Sequence, residues 1–99
     1  MIKIWFVSRH VGAINWMRAQ KEWKVDYWVE HLDIQKIKSG DIVIGILPLY
    51  LAAAVCAKGA KFYALNIPLK RGDRGVEQSA QELIEMGSYL QRYNVQAID

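Results

Sequence analysis

Ser8, Arg9 and His10 are three consecutive side chains that can handle a phosphate: a hydroxyl that donates or accepts, a permanently charged fork of donors, and an imidazole that titrates near neutrality. Taken singly, each has an ordinary reading. Ser8 serves as a helix cap, Arg9 as half of a surface ion pair, and His10 as a loop histidine. Position gives the three together more weight. They follow the apolar run Ile2–Val7 and precede a helix-like stretch from Val11, and in an open α/β sheet ligands bind beyond the carboxyl ends of the strands. Gly12 would let a ligand approach the backbone closely.

A second constellation, Lys70-Arg71-Gly72-Asp73-Arg74-Gly75, reads either as a solvated loop or as a basic lid in which Lys70, Arg71 and Arg74 close over phosphates. His31 and Asp33 leave a strand on the same edge, placed either for turn and cap chemistry or for bonding a base. Familiar cofactor signatures are missing. There is no G-x-x-x-x-G-K-S/T loop and no G-x-G-x-x-G after a strand, so nucleoside triphosphate and dinucleotide chemistry lack support. Two His and one Cys at wide spacing give no zinc pattern, and Cys56 among alanines reads as a small core residue. No metal and no cofactor are expected. The phosphodiester reaction within reach of this residue set is RNA cleavage by the substrate's own 2′-hydroxyl, because the nucleophile arrives with the ligand and the protein need only align it and stabilise charge.

The elements that must position these residues follow from the apolar pattern. Ile2 to Val7 is apolar on both faces apart from Lys3, as an inner parallel strand requires. Ala13, Ile14 and Met17 recur at helical spacing between Val11 and about Glu22. Lys24 to Val29 is a second strand, Ile34 and Ile37 mark a short amphipathic turn, and Ser39-Gly40-Asp41 is a turn cluster before the most apolar strand, Ile42 to Ile46. Pro48 fits the first turn of a helix that runs to Ala57 and stops at Lys58-Gly59. Lys61 to Asn66 is a fourth strand, and Val76 to Tyr93 is predicted as a last helix packing Ala80, Leu83, Ile84, Gly87 and Leu90. The order βαββαβα implies a single Rossmann-like α/β domain with a mainly parallel four-stranded sheet of order 2-1-3-4, and a crevice between strands one and three.

Composition sets the outer limits. A chain of 99 residues, 53% apolar and 23% charged, makes one globular domain. Thirteen Lys and Arg against ten Asp and Glu give a net charge of +3. They are spread evenly, with 7 basic and 5 acidic residues up to Leu49 and 6 and 5 after it, so there is no basic tail for long nucleic acid. The lone cysteine and the lack of a charged and then apolar leader suggest the cytoplasm. Ile42 to Ala57 is broken by Gly45, Pro48 and Tyr50, which rejects a membrane span. Four Trp and five Tyr are many for this size, so some are expected at a ligand cleft or a subunit contact.

Three ordered motifs cover roughly the first two thirds of the chain: Ser8-Arg9-His10-x-Gly12-Ala13-x-x-Trp16, then Val29-Glu30-His31-Leu32-Asp33, then Gly40-Asp41-x-Val43-Ile44-Gly45-x-Leu47-Pro48-x-x-Leu51-Ala52-Ala53-x-Val55-Cys56-x-x-Gly59-Ala60. In these the chain resembles the small type III CRISPR-associated accessory family Csx-sixteen, although Ile46 stands where that family is associated with a small hydroxyl residue. The resemblance implies a CARF-like fold and a ring nuclease that degrades cyclic tetra-adenylate to switch off antiviral signalling. It also implies a homodimer, whose two-fold axis suits a two-fold ring. Carried over residue by residue, Ser8, Arg9 and His10 face the ligand, with Trp16, His31 and Pro48 in support. Two alternatives stand beside this reading: a protein that binds or sequesters the ring without cutting it, and an interaction module in which Trp23, Tyr27 and Trp28 dock a partner protein.

Overall fold

The computed structural model describes residues 1–69 and 77–99. Strands β1 (Ile4–Val7), β2 (Tyr27–Val29), β3 (Ile42–Gly45), β4 (Lys61–Asn66) and β5 (Tyr89–Tyr93) form one sheet of order β2-β1-β3-β4-β5. Among the described residues, helices α1 (Val11–Arg18), α2 (Leu49–Ala57) and α3 (Ala80–Glu85) and a 3₁₀ turn, Ile34–Lys36, accompany it. The first four strands are parallel. The chain leaves β1 toward one edge and β3 toward the other, and right-handed crossovers then place α1 and α2 on opposite faces.

Alternation along the inner strands feeds both faces. Trp5, Val7, Val43 and Phe62 pack with Ala52 and Val55 of α2, while Phe6, Ile44 and Leu65 pack with Ala13, Trp16 and Met17 of α1 and Leu83 of α3. Fully burying one such large side chain stabilises the fold by about 1.5–3 kcal/mol, so the double-sided strands β1 and β3 anchor the domain. The edge strand β2 is held by aromatic contacts. Tyr27 lies tilted over Trp5 at 4.3 Å between ring centroids, and Trp28 meets Phe6 edge-on at 5.5 Å with the Arg18 guanidinium 5.3 Å from its ring centre.

The structure corrects the expected mainly parallel sheet of four strands: among the described residues there are five, the first four keep the order 2-1-3-4, and β5 runs antiparallel to β4. The predicted last helix from Val76 to Tyr93 is in fact α3, which ends at Glu85, followed by a turn and β5. Gly87 adopts φ +79°, a left-handed conformation that glycine tolerates and that reverses the chain. Beyond it Tyr89, Leu90 and Tyr93 suit a strand. Leu90 pairs opposite Leu65 and packs against the α1–α3 side of the core, so its inward position satisfies a helical and an alternating pattern equally.

At the amino-terminal edge of the sheet Asp41 is buried. Its carboxylate accepts from the backbone N–H of Lys3 (3.1 Å), the backbone N–H of Lys38 (3.1 Å) and the Trp5 indole Nε1–H (3.2 Å). Burial raises the Asp41 pKa, but these donors and the Lys38 charge outweigh it and hold the carboxyl below its ordinary value. The turn cluster of the sequence is thus a knot that ties the start of β1, the 3₁₀ segment and β3 together.

Candidate functional site

A crevice of about 670 Å³ opens at the carboxyl ends of the parallel strands. Ser8, Arg9 and His10 enter it from the end of β1, Glu30 and His31 from the end of β2, and Ile46 and Pro48 from the β3–α2 junction. Leu65 and Ile67 of the β4 end and Glu77 and Gln78 before α3 close the far side. The sheet topology explains the assembly: β1 and β3 are neighbours whose chains depart in opposite directions, which leaves a gap between their ends.

Each triplet residue has a distinct environment. The Ser8 backbone N–H donates to the Val29 carbonyl (3.0 Å), which extends the β1–β2 ladder by one bond. Its Oγ accepts from the His10 N–H (3.1 Å), leaving the hydroxyl proton available as a donor. Arg9 is exposed and makes no ion pair with a described residue, so its guanidinium is uncommitted at the crevice mouth. His10 precedes α1 in extended backbone, and its carbonyl accepts from the Ile14 N–H, the first closed turn of the helix. The His10 Nδ1 lies 3.1 Å from both carboxylate oxygens of Glu77, 67 residues along the chain. Neither α1 nor α2 has a side-chain cap among the described residues, so both helices start at the crevice with backbone donors available to an anion.

Of the residues predicted from sequence, Ser8, Arg9, His10, His31 and Pro48 meet in the crevice. Gly12 and Trp16 do not line it. Trp16 is buried in the core beneath α1, at 4% exposure, and Asp33 caps the 3₁₀ turn by accepting from the Gln35 N–H. Lys70, Arg71 and Arg74 lie outside the described residues. No Trp or Tyr is among the described residues of the crevice wall, and Trp23 and Tyr63 pack edge-on against each other at 5.0 Å.

Gly12 has a different task from the one its position suggested. A Cβ on it would lie 1.8 Å from the Gln78 carbonyl oxygen, a backbone atom, so α1 and the 77–79 segment touch through the missing side chain. Gly12→Ala is therefore expected to destabilise the domain by about 1–3 kcal/mol. A thermal melt should show a fall of about 4–8 °C per kcal/mol, with NMR shifts moving at His10 and Glu77; a melt unchanged from wild type would contradict the packing.

Glu30 and Glu77 are acidic crevice residues that the sequence pattern did not single out. The signal for Glu77 was the capping box Ser79-x-x-Glu82, in which Ser79 Oγ accepts from the Glu82 N–H and Glu82 accepts from the Ser79 N–H, both at 3.1 Å. It sets the helix start at Ala80 and leaves Glu77 in the segment that faces His10. No helix among the described residues is long and apolar enough to cross a membrane. A family model described as "Putative CRISPR-associated protein (Cas_VVA1548)" matches residues 5–96. No curated protein and no solved structure matches the chain.

Proposed function

Because the chain belongs to this family of CRISPR-associated proteins, we propose that it is a metal-independent ring nuclease that opens cyclic tetra-adenylate and so ends a type III CRISPR signal. The observation that carries this reading is the convergence of an uncommitted Arg9, a carboxylate-bound His10 and two helix starts on one crevice. In the reaction, His10 takes the proton of a ribose 2′-hydroxyl and the 2′-oxygen attacks the adjacent phosphorus. The bond from phosphorus to the 5′-oxygen breaks, leaving a 2′,3′-cyclic phosphate on one side and a 5′-hydroxyl on the other. His31, the second imidazole lining the crevice, returns a proton to the 5′-oxygen in this reaction. Arg9 and the helix N–H groups stabilise the charge that gathers on the phosphate, and the Ser8 hydroxyl donates to a phosphate or to the ribose.

The size of the crevice supports a homodimer. At about 670 Å³ it suits a drug-sized molecule, and a ring of four nucleotides extends beyond it. Two copies about a two-fold axis would enclose a two-fold ring, with exposed Val11, Ile46, Leu49 and Tyr50 beside the mouth as apolar surface to be covered. The test is incubation of purified protein with the ring in EDTA, followed by chromatography. Linear products ending in 2′,3′-cyclic phosphate are expected; intact ring at micromolar enzyme rejects the nuclease, and stoichiometric retention of unchanged ring selects a binding protein instead.

A further inference from the structure

We infer that Glu77 is a positioning residue that fixes the tautomer of His10, holding the proton on Nδ1 and leaving Nε2 as the nitrogen that works on the ligand. The inference rests on the nuclease reading only for its consequence in catalysis; the tautomer itself belongs to the free protein. A histidine side chain free of partners prefers its proton on Nε2, which would put a donor where a general base needs a lone pair. A carboxylate is acceptor-only, so at 3.1 Å from Nδ1 through both oxygens Glu77 demands a proton on that nitrogen.

The contact is built rather than incidental. Both side chains are more than half exposed, so a carboxylate swinging freely would not select a tautomer. Their backbones, however, are clamped together. The Gly12 turn of α1, two residues after His10, abuts the Gln78 carbonyl, one residue after Glu77. The Ser79–Glu82 capping box fixes the next residue at the start of α3. Three successive residues, 77 to 79, thus hold Glu77 against the end of β1, across 67 residues of sequence. Ser8 secures the other partner by accepting the His10 backbone N–H.

The experiment is two-bond ¹H–¹⁵N correlation of the histidine rings at about pH 8.5, above the ordinary imidazole range, with His10 distinguished from His31 by a His10→Gln sample. Wild-type His10 is expected in the Nδ1–H form. Glu77→Ala should return it to Nε2–H, and Glu77→Gln, whose amide can accept from Nδ1–H or donate to its lone pair, should give a mixture between the two. Backbone spectra of all three should overlay away from the crevice. A wild-type His10 in the Nε2–H form, or an unchanged tautomer in folded Glu77→Ala, overturns the assignment. Ring cleavage separates this result from the activity: Glu77→Ala should reduce the cleavage rate by about 10- to 100-fold with partial rescue in Glu77→Gln. A wild-type protein that shows the Nδ1–H form and leaves the ring whole supports the positioning and rejects the nuclease.

Discussion

Arg9→Ala is expected to lower ring cleavage by about 100- to 1,000-fold while changing folding stability by no more than about 0.5 kcal/mol. Both halves of the expectation come from the same fact. Arg9 is exposed and pairs with no described carboxylate, so its removal leaves no buried partner stranded. For the same reason its charge is fully available to a phosphate that develops extra negative charge in the transition state. Arg9→Lys should retain part of the activity, since an ammonium supplies the charge without the two-pronged geometry. Single-turnover cleavage together with a thermal melt reads both quantities. An Arg9→Ala protein that cuts at the wild-type rate removes Arg9 from the mechanism, and one that unfolds shows that the residue holds the structure instead.

The largest stability effect is expected at the opposite edge of the sheet. Asp41→Ala leaves the buried Trp5 indole N–H and two partly buried backbone N–H groups without their acceptor; the buried donor alone carries a penalty of about 1–3 kcal/mol, and the other two add to it. A loss of about 3 kcal/mol or more is a large share of the roughly 5–15 kcal/mol that stabilises a domain. Denaturant titration should show it as a lower midpoint at unchanged slope, and a midpoint at the wild-type value would contradict the knot. The pH dependence has a defined sign. Because the folded pKa of Asp41 is depressed, its unfolded form binds the proton first. Its contribution is complete above the unfolded carboxylate value of about 3.9 and is lost as pH falls through that value to the folded one. Asp41→Asn should therefore flatten the acid limb of the stability curve in that window.

Much of this was legible in the residue pattern, and the exceptions have identifiable causes. Strands β1 to β4 and their order follow from double-sided apolar runs separated by helical periods, which admit few windings once crossovers are right-handed. That topology put Ser8, Arg9, His10 and Pro48 at the crevice and His31 on the same sheet edge, and all five line it. Strand β5 was not legible because Leu90 is inward under both periods and Gly87 passes for a small helical residue until its positive φ is seen. Helix α1 ends at Arg18, four residues short of the expected Glu22, because Gln20 turns the chain: its backbone N–H bonds the Met17 carbonyl and its own carbonyl accepts from Trp23. Gly12 reads toward the ligand from its place beside the triplet and Trp16 from the family resemblance, whereas contacts with the 77–79 segment and the α1–α3 core decide their places. Asp41 looked like a turn residue since nothing local reveals donors that arrive from Lys3 and Trp5.

The clamp between residue 12 and residue 78 also fixes when the crevice comes into being. During synthesis β1, α1 and the parallel strands precede residues 77 to 79, so they can begin to pair before that segment exists. Only after residues 77 to 79 have followed can His10 meet its carboxylate. A chain cut before Glu77 would carry Ser8, Arg9 and His10 without the wall that meets them.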